Sequence, residues 1–202
     1  MPDELIKRLI RAAAGTIDAH ADELTRLDQA IGDGDHGLNM QRGFKAILEA
    51  EDEIAALPFG QALQKAGMTL VMKVGGASGP LYGSLLMAMG KASAETPGTL
   101  DEVTDVLAAG IEAVKARGKS DAGAKTMLDV LVPLLTALKS ADGDPVGVAR
   151  QAADDGLSAT RDMLATKGRA SFLGERSIGH LDPGARSSAL LVHAVCDIVE
   201  VS

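Results

Sequence analysis

Twelve consecutive positions, Asp28-Gln29-Ala30-Ile31-Gly32-Asp33-Gly34-Asp35-His36-Gly37-Leu38-Asn39, gather three carboxylates, one imidazole and three glycines. No Lys or Arg lies between residues 27 and 41, so no basic sequence neighbour offsets Asp28, Asp33 and Asp35. Crowded carboxylates repel one another and are tolerated mainly when a cation sits between them. Oxygen ligation suits a hard ion, Mg²⁺ or Ca²⁺, better than Zn²⁺. The three aspartates fall at i, i+5 and i+7, and a glycine loop can fold back so that they converge on Mg²⁺. That ion takes few protein oxygens and completes its shell with water or phosphate. The bland alternative is an Asx-rich turn between helices, which Asp-Gly pairs form routinely.

Other readings of the stretch fail on physics. Gly32 to Gly37 matches G-x-G-x-x-G, but no strand precedes it and its carboxylates would repel a bare pyrophosphate. Counted as an EF-hand from Asp33, position 6 is Leu38 and position 12 is Phe44, where a glycine and a bidentate glutamate are needed. No Gly-Lys-Ser/Thr follows, so it is no P-loop.

Three more glycine-bearing loops carry chemistry-capable groups. Gly75-Gly76-Ala77-Ser78-Gly79-Pro80 feeds a helix N-terminus, where free N–H groups and the Ser78 hydroxyl can bind an anion. A tight helix-helix turn is its alternative. In the turn from Gly118 to Met127, a glycine and an adaptable methionine can sandwich a flat ring, although Met127 as plain core reads equally well. Arg169, Arg176 and His180 lie in a late loop and can reach phosphate oxygens, or else decorate a solvated surface.

The bulk composition narrows the function classes. The chain has 202 residues, 46% hydrophobic and 24% charged, enough for one domain over residues 1–202 with a real core. Aromatic content of 2% and a net charge of −8 speak against a nucleic-acid platform. An acidic protein still binds a phosphorylated small molecule if a metal supplies positive charge. The lone Cys196, in an apolar run, reads as a buried helical residue in a cytoplasmic protein. No signal-peptide core or membrane-spanning run is present: Lys73 and glycines interrupt the apolar stretch 68–90.

The elements that must position these groups are helices. Apolar residues recur at helical spacing from Ile6 to Leu27, about 38–56, from Pro58 to Val74, and over Leu81–Ala94 with Ser78 as cap and Pro80 in the first turn. Thr99 and Glu102 form a capping box for a fifth helix ending at Gly118. Asp121 starts a sixth, with a kink at Pro133. Asp144-Pro145 starts a seventh, to about Thr166, and Asp182-Pro183-Gly184 starts the last. No run alternates with period two. The expected fold is all-α, an eight-helix antiparallel up-and-down barrel or bundle. If the helices alternate, the loops after the first, third, fifth and seventh (28–39, 75–79, 118–126 and 167–184) share one rim.

The residues Asp28…Ile31 to Met40, Gly75 to Gly83, Gly123 to Asp129 and Asp182 to Ala185 resemble the L subunit of dihydroxyacetone kinase, in four ordered motifs covering essentially the whole chain. The resemblance implies an eight-helix barrel with ADP, or ATP, across one rim. It implies that Asp28, Asp33 and Asp35 hold two Mg²⁺ ions bridging the nucleotide phosphates. His36, Gly37, Leu38 and Asn39, with Ala77 and Ser78, would contact the phosphates. Gly118 and Met127 would flank the adenine, and Arg169 with Asp182, Pro183 and Gly184 would complete the site. His36 as a phosphohistidine is the less favoured alternative to His36 as a hydrogen-bond donor. The implied chemistry is phosphoryl transfer to dihydroxyacetone held covalently on a histidine of a separate K subunit. A free-standing L chain resembles the version whose bound ADP is rephosphorylated in place by a phosphotransferase-system protein. Contact with a transcription regulator is also implied. The alternatives are an ATP-exchanging kinase subunit for another short ketose and a non-catalytic nucleotide-binding regulator.

Overall fold

In the computed structural model, which describes residues 2–201, nine α-helices and two 3₁₀ segments are found among the described residues, and no strand. The helices are α1 (Pro2–Ile31), α2 (His36–Glu49), α3 (Glu51–Ala55), α4 (Phe59–Lys73), α5 (Ser78–Ala92), α6 (Leu100–Gly118), α7 (Leu128–Lys139), α8 (Pro145–Ala159) and α9 (Pro183–Glu200). The 3₁₀ segments are Thr160–Asp162 and Arg169–Ser177. Each long helix packs on the next, and α9 returns to α1, so the elements close into a ring. The expected second helix is broken at Ala50 into α2 and α3, but both parts pack on α1 and α4. They therefore act as one stave, and the ring has eight.

The stripes read from the sequence face inward. Ile17, Leu24, Met40, Phe44, Leu70, Ile111, Val114, Leu128, Leu131 and Leu190 are buried in one core cluster. Cys196 is buried and free. α4 and α5 approach closely because glycines line their contact: a Cβ on Gly67 would lie 2.7 Å from the Gly83 carbonyl oxygen. Among the described residues, no helix is long and apolar enough to cross a membrane.

Caps account for several helix starts. Thr99 accepts the Glu102 N–H at 3.2 Å, and the Glu102 side chain accepts the Thr99 N–H in return. Asp144 accepts the N–H groups of Val146 and Gly147, and Asp182 accepts that of Ala185. Ser78 does not cap α5: it is the first helical residue, and its hydroxyl is engaged by His36. α7 starts at Leu128, not Asp121, because Lys119, Gly123 and Lys125 all have positive φ and wind residues 119–127 into a non-helical turn. The loop after α8, without clear periodicity, contains the 3₁₀ segment Arg169–Ser177, interrupted at Gly174 (φ 58°).

Candidate functional site

α1 runs one turn beyond its expected end, to Ile31, and places Asp28 inside its last turn. A carboxylate there opposes the α1 dipole. The structure offsets this with the start of the next helix: Asp28 Oδ2 accepts the N–H of Asp35 (2.9 Å) and of His36 (3.1 Å). Asp28 thus caps α2 from α1, and the Asp35 side chain makes no capping bond. Gly32 leaves the space for it, since a Cβ there would overlap Asp28 Oδ1. Asp28 is buried while Asp33 and Asp35 are exposed, and one oxygen from each lies within 4.8 Å of the others. Three such oxygens at the mouth of a cleft fit a hard divalent cation. Asp33 also has a basic partner that its sequence neighbours do not supply: Arg169 Nε lies 2.8 Å from its Oδ2.

Behind this cluster runs a buried hydrogen-bond chain. His36 Nδ1 lies 2.9 Å from Ser78 Oγ, and its Nε2 lies 2.9 Å from Ser187 Oγ. Ser187 Oγ is 2.7 Å from the Tyr82 hydroxyl, which also meets Ser188 Oγ at 2.8 Å. Burial lowers the His36 pKa against the pull of Asp28 and Asp35, which favours the neutral ring. A neutral imidazole has one donor and one acceptor. One of the two serine hydroxyls therefore donates to the ring and the other accepts from it. Burial also pushes the Tyr82 phenol up to about 12, so it stays a donor at any ordinary pH.

The cleft is lined from all four loops that the alternation of helices places at one rim. Asp28, Ile31, Asp33, Asp35 and His36 come from the first. Gly75 to Ser78, with Leu81 and Tyr82, come from the second; Lys125, Thr126 and Met127 from the third; and residues 167–170 with 182–184 from the fourth. The Asp182 carboxyl forms part of this wall and is raised to about 7, chiefly by burial, with the Asp129 charge adding to it.

A family model described as the DAK2 domain matches residues 30–197. The chain belongs to the DAK2 family. It is 51% identical over 172 residues to a Listeria innocua protein, "PEP-dependent dihydroxyacetone kinase 1, ADP-binding subunit DhaL", covering 85% of this chain and 84% of that one. It is 43% identical over 176 residues to the Lactococcus lactis "PTS-dependent dihydroxyacetone kinase, ADP-binding subunit DhaL", covering 87% of each. Its fold matches the crystal structure of the C. freundii dihydroxyacetone kinase in complex with AMP-PNP and Mg²⁺ with a TM-score of 0.75 at 24% identity. That match covers 96% of this chain, which spans about a third (34%) of the C. freundii chain.

Of the site residues named from the sequence, Asp28, Asp33, Asp35, His36, Ala77, Ser78, Met127, Arg169, Asp182, Pro183 and Gly184 line the DAK2 cleft. Gly37, Leu38, Asn39 and Gly118 lie outside its lining. Gly37 packs α2 on α1: a Cβ would overlap the Ala21 carbonyl and the Thr25 hydroxyl. Leu38 points outward, 54% exposed, and Asn39 is buried beside Gly75. Gly118 ends α6 near Leu81, at the cleft's edge. Arg176 and His180 are exposed away from the cleft. The lining residues not singled out as contacts include Lys125, Tyr82 and Lys167. A lone tyrosine in a helix of small residues marks Tyr82, but nothing in the spacing marks Lys125 as buried.

Proposed function

We propose that this chain is the nucleotide-binding subunit of a dihydroxyacetone kinase. In this reading ADP lies in the rim cleft and is charged to ATP, whose γ-phosphoryl passes to a hydroxyl of dihydroxyacetone held on a histidine of a partner K subunit, leaving ADP. The observation that carries the reading is the meeting, in one cleft, of three carboxylate oxygens within 4.8 Å and a helix N-terminus with Ser78 in its first turn. A cation site beside an anion site is what an acidic protein needs to grip a polyphosphate. The names of the Listeria and Lactococcus relatives, ADP-binding subunits of PEP- and PTS-dependent kinases, support the substrate and the donor class.

Asp28, Asp33 and Asp35 would hold two Mg²⁺ ions, which supply charge neutralisation for the phosphates when bound. The chain's own groups do the rest. Ser78 and the first N–H groups of α5 receive a phosphate, with His36 fixing the Ser78 hydroxyl from behind. Met127 and Gly118 flank the base, and Gly184 opens the N-terminus of α9 toward the cleft. Arg169 exchanges Asp33 for phosphate oxygens, whose geometry its fork matches. The phosphoryl donor is a phosphotransferase-system protein that recharges ADP in place.

Native mass spectrometry of the purified chain tests this directly. ADP with two Mg²⁺ should co-purify, and labelled nucleotide should exchange slowly. Rapid exchange in excess ATP would point instead to an ATP-exchanging kinase subunit, and no nucleotide at all would remove the reading. An Asp33→Asn variant should lose metal and nucleotide together; nucleotide retained without Mg²⁺ would undo the ion-bridged scheme. After exposure to the phosphoryl donor, acid-labile label on the protein would make His36 a phosphoryl carrier. None is expected, since both of its ring nitrogens are already hydrogen-bonded.

A further inference from the structure

Lys125 is only 1% exposed, the most deeply buried charged side chain among the described residues. Its ammonium makes no ion pair within that set; three backbone carbonyls surround it instead. Nζ lies 2.6 Å from the Ser177 oxygen, 3.2 Å from that of Met163 and 3.5 Å from that of Arg161. An ammonium has three donors, so the acceptors match it one for one. The acceptors also sit where a cation is favoured. Arg161 lies within the 3₁₀ segment Thr160–Asp162 and Met163 follows it, and Ser177 ends the segment Arg169–Ser177. Carbonyls at helical C-termini carry partial negative charge.

The turn that delivers Lys125 is wound for the purpose. Lys125 has φ 63°, a left-handed conformation that a side-chain-bearing residue keeps only when its surroundings over-determine it. Asp129 supplies that constraint from below, accepting the N–H groups of Gly123 and Thr126. The Thr166 N–H donates to the Ala124 carbonyl at 3.2 Å, alongside the lysine. Between the two ends held by the ammonium, the chain carries Lys167, Gly168, Arg169 and Ala170 into the cleft wall.

We propose that Lys125 is a positioning residue that clasps both ends of the 160–177 segment and so holds Arg169 over the metal-ligand loop. Removing it should free the segment without opening the helical ring. The consequence for nucleotide retention rests on the function proposed above; the clasp itself does not.

The test compares the wild-type chain with Lys125→Met, a side chain of similar length without donors. Hydrogen exchange of amides in 164–176 should be at least ten-fold faster in the variant, and those of α4 and α5 unchanged. Trypsin should cut after Arg169 faster in the same proportion. Equal exchange and equal cutting would overturn the clasp. ADP should leave the Mg²⁺-loaded variant at least ten-fold faster, and an unchanged release rate from a loosened segment would overturn the link to retention. If the wild type holds no ADP, the function proposal fails while the exchange result still judges the clasp. Amine acylation of the wild type guards against a variant that does not fold. Lys125 should react at least ten-fold more slowly than the exposed Lys119, and equal rates would overturn the proposal.

Discussion

Asp28 allows a capping role to be tested apart from the proposed ionic one, because both capping bonds fall on one of its oxygens. Oδ2 holds the N–H groups of Asp35 and His36, while Oδ1 is the oxygen beside Gly32. Asp28→Ala removes both bonds. The His36 N–H is buried and would be left without a partner, at a cost of about 1–3 kcal/mol, and the lost bond to Asp35 adds about 1 kcal/mol. At about 2–4 °C per kcal/mol for a chain of this size, melting should fall by roughly 5–15 °C in EDTA. Asp28→Asn keeps an acceptor oxygen for both N–H groups, so its loss in EDTA should be about 1 kcal/mol or less. Its neutral amide, however, weakens the cation site. A ligand present at one hundred times its Kd adds about 2.7 kcal/mol, so Mg²⁺ with ADP should raise the wild-type midpoint by roughly 5–10 °C. The Asn variant should lose most of that rise. The assay is thermal melting of the three proteins in EDTA and in Mg²⁺ with ADP. A full ligand-induced rise in Asp28→Asn would remove Asp28 from the ion site, and equal losses for Ala and Asn in EDTA would refute the capping role.

Asp182 predicts a pH dependence. Its folded pKa, raised to about 7, lies above its unfolded value, so the native state keeps a proton that the unfolded chain gives up from about pH 4 upward. Its contribution to stability therefore falls as pH rises from about 4 to 7 and is flat above. Asp182→Asn retains an acceptor for the Ala185 N–H and should match the wild type near pH 4 but exceed it at pH 8, by at most about 4 kcal/mol; urea melts showing a pH-independent difference would contradict this. Tyr82→Phe leaves the Ser187 and Ser188 hydroxyls without their shared partner and should cost about 1–3 kcal/mol in urea unfolding, an unchanged midpoint speaking against the buried chain. Gly37→Ala should destabilise by about 3 kcal/mol, because its methyl group meets α1 backbone, and a neutral result would mean that α1 and α2 can separate freely.

Much of the fold was legible because helix periodicity and caps are local properties. Thr99, Asp144 and Asp182 each marked a helix start through bonds to N–H groups two or three residues on. The errors arose where a distant group decided the local outcome. Ser78 looked like a cap, but His36, forty-two positions away, takes its hydroxyl. Asp121 looked like a helix start, but Asp129 holds Gly123 and Thr126 in a turn that no helix can continue. Asp33 looked unpaired, but Arg169 reaches it from the loop between α8 and α9.

The cleft itself follows from parity more than from any one motif. Each stave reverses direction, so odd-numbered connections meet at one end provided nothing inserts an extra reversal. The break at Ala50 is a place where the count could have shifted. α3 has five residues and rises only about 8 Å, too short to cross the ring, and it stays against α1 and α4. The direction of travel is kept, and α4 still delivers the Gly75 turn beside Asp28. Had α3 been long enough to run back as a stave of its own, the glycine turn would stand at the opposite end from the carboxylates. The coincidence of Asp28, Ser78, Met127 and Asp182 in one cleft is thus fixed by helix length and number, while Lys125 and the Tyr82 chain set how rigidly those groups are held.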